Sequence, residues 1–490
     1  MIQIYNTQTH KKEELTTRES GKVAMYACGP TVYNHIHIGN ARTFLTFDVV
    51  RRWLDYRGYD VKFVQNVTDI DDKIINRANE EGRSAAEVAA DYTQQFIDAM
   101  HRFGIADPDV RPKATEEIPE MIELVQRLID GGHAYEVDGD VYFSVRSFKD
   151  YGKLSGRNID DLQSGARVDV DERKKDPLDF ALWKAAKPGE PHWTSPWGEG
   201  RPGWHLECSA MSKKYLGLPI DIHGGGSDLV FPHHENEIAQ SEAAYGCEFV
   251  TRWLHGGMLR INEEKMSKSL GNFLLLKDVL DSCDPTALRL LMLQTHYRNP
   301  LDFSDERLAE AQSSLDRIAT CVRNMEWAAE NAASVGEEGT AGFSIDLSAV
   351  KEKFCTCMDD DFNTAGALGA LFGLVNECNA FLDENASLTD DARAGLIEAC
   401  ALIVELLGTL GIELEKEQEQ WPEEVCDLAA QQAGYTGDNT HEAVDALLEA
   451  RAAARKEKNF ITADAIRDGL SELGFVIEDT ANGARVSYGA

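Results

Sequence analysis

The sequence predicts an α/β protein: a Rossmann-like parallel-sheet nucleotide-binding domain is interrupted by an inserted connective domain, then followed by a helical bundle and a small mixed C-terminal unit. Three observations predict it. Residues 22–28 are a short apolar run, 29–40 a loop, 41–57 repeat apolar residues at helical spacing, and 61–67 read as a second strand. A right-handed strand–loop–helix–strand unit leaves its loop at the carboxyl edge of a parallel sheet, where ligands bind. The same order recurs with 220–223 as strand, G-G-G-S-D as loop, 232–245 as helix opened by Pro232, and 253–259 as strand. From Asp284 to Leu410 the apolar period is almost wholly helical.

These elements divide the chain. Residues 1–70 and 206–262 are the two halves of the catalytic domain, and 71–205 are the insertion, which runs from helices to short strands around 141–145 and then to Pro- and Gly-rich connections through Gly203. A polar loop and the region behind it occupy 263–300, the helical bundle 301–412, and an acidic, poorly patterned linker 413–439. The last unit, 440–490, has helices and then F-V-I-E-D-T and A-R-V-S-Y as strands. No internal repeat stands out.

At 490 residues the chain exceeds what one core supports, so several domains are expected. No apolar run reaches the roughly 18 residues of a bilayer span, and M-I-Q-I-Y-N-T lacks a basic-then-apolar signal pattern. The expectation is a cytoplasmic monomer with no membrane partner. Ten cysteines spread over such a length fit reduced thiols. The 84 acidic and 49 basic residues give a net charge of -35, which repels nucleic acid at low salt. A salt-rich, halophilic source would relieve this repulsion, because the Debye length falls to about 3 Å at 1 M salt. Activity is then expected to rise toward molar KCl; an optimum near about 0.1 M with the fold intact counts against a halophilic origin.

The chemistry sits in separated motifs. His37-Ile38-Gly39-Asn40 lies where a strand hands over to a helix, whose N-terminal N–H groups and positive dipole suit phosphate oxygens. Gly39 permits close backbone approach; His35 and His37 add donors, and Asn40 donates through its amide without charge. Over two hundred residues later, E-K-M-S-K-S-L-G-N at 264–272 places Lys265 and Lys268 three apart in a short polar stretch, a movable cationic loop. Zinc-compatible residues accompany them: Cys28 beside the first motif, Cys208 in G-W-H-L-E-C-S, and F-P-H-H-E-N-E at 231–237. His233 with Glu237 is i, i+4 and His234 with Glu237 is i, i+3, so spacing does not choose between the histidines. Cys355-Thr356-Cys357 lacks a second pair and reads as packing. Asp69, Asp71 and Asp72 invite a magnesium reading, but D-I-D-D before an amphipathic helix is better read as an N-cap with an acidic first turn.

Lys265 to Ser269 resembles the lysine loop of class I aminoacyl-tRNA synthetases, and His37 to Asn40 resembles their paired-histidine motif, in the same order and separation. Asn40 departs from the family's second histidine, but asparagine occurs there in its cysteine branch. The resemblance to that branch runs over essentially the full chain. It implies cysteine activation with ATP and Mg2+, then transfer of the cysteinyl group to tRNA(Cys). It implies one Zn2+ per chain on Cys28, Cys208, His233 and Glu237, with Thr68 and Trp204 lining the L-cysteine pocket. Lys268, supported by Lys265, then neutralises departing pyrophosphate, with His37 and Asn40 as the other catalytic residues. His37, Gly39, Gly225, Asp228 and Lys268 are the expected ATP contacts. The glycines after 223 admit adenosine and Asp228 reaches a ribose hydroxyl, against the plainer reading of a glycine turn. Zinc turns the choice between cysteine and serine from one of size into one of ligand softness.

The region after Asp284 resembles the family's anticodon-recognising bundle. Arg451, Arg455, Lys456, Lys458 and Arg467 gather beside Phe460, where tryptophan is usual, as an RNA contact or as a solvated basic face. Two rival readings are a cysteine ligase with an amino-sugar acceptor, which the long C-terminal region disfavours, and a non-catalytic RNA-binding protein, which His37, Lys268 and the full ligand set disfavour.

Overall fold

The computed structural model describes residues 1–160, 173–261, 264–265, 273–334, 342–414, 421–480 and 483–488. A hairpin of β1 (Gln3–Asn6) and β2 (Lys11–Glu14) precedes β3 (Lys22–Ala27), α1 (Ile38–Tyr56) and β4 (Asp60–Gln65). Next come α2 (Asp72–Glu81), α3 (Ala85–Arg102) and α4 (Ile118–Asp130). An antiparallel sheet follows, formed by β5 (Ala134–Val137), β6 (Asp140–Phe143), β7 (Phe180–Ala185), β8 (Trp193–Ser195) and β9 (Gly198–Pro202) in the order β5-β6-β7-β9-β8. The sequence had shown only a trace of this sheet, around 141–145.

The chain then returns through α5 (Leu206–Leu216), β10 (Ile220–Gly226), α6 (Glu235–Tyr245) and β11 (Val250–Gly256) to complete the central parallel sheet, ordered β11-β10-β3-β4. Registers such as Met25↔Phe63, Ile222↔Met25 and Gly224↔Leu254 run parallel throughout. β3 and β10 are neighbours, and their crossovers leave in opposite directions, so the order reverses between them. That reversal opens a crevice beyond the carboxyl ends of both strands. The buried Met25, Tyr26, Val64, Ile220, Ile222 and Trp253 hold the sheet between its covering layers. The glycines read as a loop belong to the end of β10. A Cβ on Gly224 would meet the Leu254 carbonyl oxygen at 1.7 Å, so only glycine lets β11 pair there.

Beyond the sheet, β12 (Leu259–Ile261) pairs with β13 (Glu264–Lys265) and, after α7 (Leu276–Leu280) and α8 (Pro285–Leu293), with β14 (Leu301–Phe303). Helices α9 (Asp305–Asn331), α10 (Leu347–Asp359), α11 (Thr364–Glu384) and α12 (Asp390–Thr409) follow, then α13 (Glu424–Ala433), α14 (Thr440–Lys456), α15 (Phe460–Glu472) and the hairpin β15 (Phe475–Thr480) and β16 (Gly483–Tyr488). By length and composition α11 could cross a membrane, yet its Leu368, Leu371, Leu374, Val375 and Cys378 are buried within the fold.

The chain forms two compact units, one of Met1–Ile318, Ser348–Gly373 and Glu405–Glu413, the other of Ala319–Leu347, Leu374–Val404 and Leu414–Ala490. Within the first, two buried arginines fasten α1. Arg42 donates to the carbonyls of Gly257, Met258, His296 and Asn299. Arg289 pairs with Asp48 and donates to the carbonyls of Leu410 and Gly104 at 2.7 and 3.0 Å. Asp48→Ala leaves the Arg289 guanidinium buried without its counter-charge, and a loss of about 3–5 kcal/mol is expected, read as a lower urea midpoint. In the second unit Val425, Ala429, Val444, Leu447, Ile466, Leu470 and Phe475 form a small core. Residues 413–439, read as a linker, thus contain α13, which belongs to that core.

Candidate active site and metal centre

Cys28 is the first residue after β3, and its N–H donates to the Gly224 carbonyl of β10 at 3.2 Å, at the point where the sheet order reverses. Four side chains meet there in a closed ring. Cys28 Sγ lies 3.4 Å from Cys208 Sγ and 3.5 Å from Glu237 Oε1. Cys208 Sγ lies 3.7 Å from His233 Nε2, which lies 2.8 Å from Glu237 Oε1. Cys208 comes from the first turn of α5. His233 and Glu237 lie one turn apart: residues 230–234 form an irregular π-type turn kinked at the extended Phe231 (φ −141°, ψ 130°), which runs directly into α6 at Glu235. His234 is a fifth donor: its Nε2 is 3.3 Å from Cys28 Sγ, and Cys28, His233, His234 and Glu237 offer ligand atoms all within 4.8 Å of one another.

A second layer of histidines orients this ring. His205 Nδ1 meets His233 Nδ1 at 2.9 Å, leaving Nε2 to the pocket. His223 Nε2 meets Glu237 Oε2 at 2.7 Å while its Nδ1 donates to the Tyr26 carbonyl. His234 Nδ1 meets His255 Nε2 at 2.7 Å, and His255 Nδ1 meets Thr7 Oγ1 at 2.8 Å. Burial opposes charge on all these groups, and their neighbours decide which carry it. Burial pushes the Cys28 thiol well up, as do Cys208 and Glu237. For Cys208, burial is overridden by hydrogen bonds with Cys28 and His233, and its pKa falls to about 6. Against burial, Glu237 and Cys208 raise His233 to about 10, while His223 and His233 hold Glu237 well below the carboxylate range. Burial lowers His205 and His255 to about 3. Two soft sulfurs, an imidazole and a carboxylate fit zinc better than magnesium or calcium, which prefer oxygen donors.

The expected cysteine-pocket residues adjoin the ring. The Trp204 ring stacks on His233, with centroids 4.2 Å apart at 19°. Buried Thr68 donates from Oγ1 to Glu207 Oε2 at 2.5 Å. The three aspartates after Thr68 have separate duties that leave no cation site between them. Asp69 accepts from the backbone and hydroxyl of Thr115, Asp71 caps α2 by accepting from Lys73 N–H, and Asp72 pairs with Lys184 and Arg201.

On the nucleotide side, His37 caps α1. Its Nδ1 accepts from Asn40 N–H at 3.1 Å, while Asn40 Oδ1 accepts from His37 N–H at 3.3 Å. Asn40 therefore serves the helix start, a task for which its short amide suffices. Lys268 and residues 266–272 lie outside the described residues, but both flanks of the lysine loop are placed. On one side Lys265 of β13 pairs with Arg260 of β12. On the other, Ile38 N–H donates to the Leu274 carbonyl, Leu276 N–H donates to the Ile36 carbonyl, and Phe273 meets the His37 ring edge-on at 5.1 Å. The backbone thus brings residues 273–276, just after the lysine loop, against the first motif. Gly225 lies against Leu229 and His234, and exposed Asp228 folds back over Gly226, where a Cβ would meet its Oδ1 at 2.4 Å.

In the C-terminal unit the basic cluster divides. Arg451 is buried and Arg467 pairs with Asp464 and Asp468, so neither belongs to an open basic face. Arg455, Lys456 and Lys458 remain at the surface beside Phe460, which is 60% exposed. Around the metal centre, sequence reasoning passed over His205, His255, Glu207 and the roles of His223 and His234. All five lie in or beside motifs singled out for other residues, but burial, not spacing, defines their roles.

The comparisons agree with this geometry. Residues 14–313 match the class I (C) tRNA synthetase catalytic domain, 353–415 the DALR domain, and 438–486 the cysteinyl-tRNA ligase anticodon binding domain. Among solved structures, a methionyl-tRNA synthetase from Mycobacterium tuberculosis with methionyl-adenylate shares the fold at TM-score 0.61 and 16% identity, over 79% of this chain and 91% of that one. The LeuRS–tRNA–LeuAMS complex of Agrobacterium radiobacter K84 does so at 0.60 and 12%, over 81% and 85%. The cysteine–tRNA ligase of Desulforamulus reducens is 51% identical over 99% of both chains, and that of Heliobacterium modesticaldum is 50% identical over the same shares. With the class I catalytic domain, the cysteine-type anticodon domain and full-length relatives at half identity, the chain belongs to the cysteine–tRNA ligase family.

Proposed function

We propose that this cysteine–tRNA ligase chooses its amino acid with a zinc ion on Cys28, Cys208, His233 and Glu237, forms cysteinyl-adenylate from L-cysteine and Mg2+-ATP, and passes the cysteinyl group to the terminal adenosine of tRNA(Cys). The observation that carries it is the closed ring of two thiols, an imidazole and a carboxylate at the sheet's switch point. When bound, zinc favours a thiolate over the hydroxyl of serine as a ligand and lowers the thiol pKa. His205 and His223 hold His233 and Glu237 in register for that task.

The chain's own residues then position the reaction. Cysteine's carboxylate attacks the α-phosphorus of ATP, an O–P bond forms and the bond to pyrophosphate breaks, so the protein supplies orientation and charge rather than a nucleophile. The α1 N-terminus, with His37 and Gly39, faces phosphate oxygens. Asn40 secures that end by accepting the His37 N–H at Oδ1, and its side-chain NH2 is the group that donates to a phosphate oxygen. Lys265 and Lys268 take the charge developing on pyrophosphate. Trp204 and Thr68 wall the cysteine pocket, and Gly225 and Asp228 serve the adenosine. A hydroxyl of the tRNA's terminal adenosine attacks the cysteinyl carbonyl carbon and AMP departs. The working form is a cytoplasmic monomer.

The test is attachment of labelled cysteine to a tRNA with a GCA anticodon, in molar KCl with ATP and magnesium. Charging is expected, with serine rejected. Adenylate formation without charging would overturn the tRNA acceptor in favour of an amino sugar.

A further inference from the structure

Glu207 is a carboxylate without an evident structural task. It is 1% exposed, and its Oε2 accepts the Thr68 hydroxyl, but Oε1 is buried with no hydrogen-bond partner. It stands in the first turn of α5, where an acidic residue commonly serves the helix N-terminus, yet this helix start has no side-chain cap. Burying a carboxylate oxygen unpaired is costly, so its retention asks for a partner that arrives with a ligand.

Its surroundings identify that partner. Asn66 donates to Thr68 Oγ1 at 3.4 Å, and the Asn66 Oδ1 lies 3.6 Å from Cys208 Sγ and accepts the Gly29 N–H at 2.9 Å. A short path therefore joins Glu207 to the sulfur ring. Bound cysteine offers three groups: a thiol for the ring, a carboxylate for the α-phosphorus, and an ammonium. The neighbouring acids Asp69 and Asp72 are engaged by Thr115, Lys184 and Arg201.

Building on the zinc reading, we propose that Glu207 is a positioning residue for the α-ammonium of cysteine, acting through Thr68. Thr68 directs its hydroxyl proton to Glu207 Oε2, which leaves its own oxygen as an acceptor for the ammonium, with the unpartnered Oε1 of Glu207 as the further acceptor behind it. The pair thereby sets which end of the amino acid faces ATP.

The test compares cysteine with 3-mercaptopropionate, which keeps the thiol and carboxylate but lacks the amine, in Glu207→Gln and the parent enzyme. In ATP–pyrophosphate exchange the variant is expected to raise the KM for cysteine roughly 10- to 100-fold, the scale of a lost charge-assisted hydrogen bond, with kcat less affected. Zinc content and inhibition by 3-mercaptopropionate are expected to stay unchanged. Equal weakening of both ligands, or lost zinc, would mean a merely structural role and overturn the proposal. Thr68→Val gives a second route, with the same selective loss expected for cysteine and equal loss overturning it. The zinc reading is checked separately in the cobalt-substituted parent enzyme, where cysteine and 3-mercaptopropionate should both add to the thiolate-to-cobalt absorption that Cys28 and Cys208 already give. No added absorption with either ligand would sink the zinc reading and this proposal together, whereas added absorption with unselective variants sinks this proposal alone.

Discussion

Cys208→Ser protein is expected to emerge folded but with little zinc, and to activate cysteine more than about 100-fold more slowly than the parent, since loss of even an outer partner of a metal ligand costs 10- to 100-fold. The substitution nearly conserves volume in a buried position, so packing around α5 survives. What changes is the donor. Sulfur at Cys208 lies within 3.4 Å of Cys28 Sγ and 3.7 Å of His233 Nε2, and those two neighbours favour its thiolate. A serine hydroxyl stays protonated and binds zinc poorly. Metal content by atomic absorption and cysteine-dependent ATP–pyrophosphate exchange should fall together, and the small residual activity should discriminate less well against serine. Full activation in zinc-free protein would overturn the thiol-sensing role.

The ring could be anticipated because each donor stood in a recognisable motif, whereas its support could not. His205 and His255 contact His233 and His234 only after α5, the turn before α6 and β11 have folded against one another. No spacing along the chain encodes such meetings. Period and alternation revealed β3, α1, β4 and the second half of the central sheet, where buried apolar runs alternate with a long amphipathic helix. They failed at β10, whose glycines resemble a loop but extend the strand because Gly224 lies against the Leu254 carbonyl. They failed again at α13, since an excess of acidic side chains hides the Val425 and Ala429 stripe that packs into the small C-terminal core. The antiparallel sheet of the insertion was faint for a related reason: β8 and β9 are short and rich in Gly, Ser and Thr, and they join the sheet only through the pairing of β9 with β7. In D-I-D-D, local chemistry was a good guide, because an N-cap is decided within a few residues and Asp71 is one.

Lys268→Ala is expected to separate the two halves of the site. It should lower the rate of cysteine activation by about 100- to 1,000-fold, comparable to losing one preorganised donor to a developing oxyanion, while zinc content and cysteine binding stay as in the parent. The reason lies in how the loop is tethered. Leu274 and Leu276 are hydrogen-bonded to Ile38 and Ile36, immediately beside the cap that His37 and Asn40 form, while Lys265 is paired to β12. The described residues on both sides of that stretch are thus anchored, and those that follow it lie against the start of α1. A contact that strengthens as charge develops appears in kcat rather than in KM. His37→Ala is a useful contrast, because it also removes the α1 cap, at about 1 kcal/mol, and so should cost some stability along with rate. Stopped-flow measurement of adenylate formation, with zinc assayed on the same samples, distinguishes these outcomes. An unchanged rate in Lys268→Ala would remove the lysine loop from catalysis, and a loss of zinc in that variant would mean that the two halves of the site are not independent.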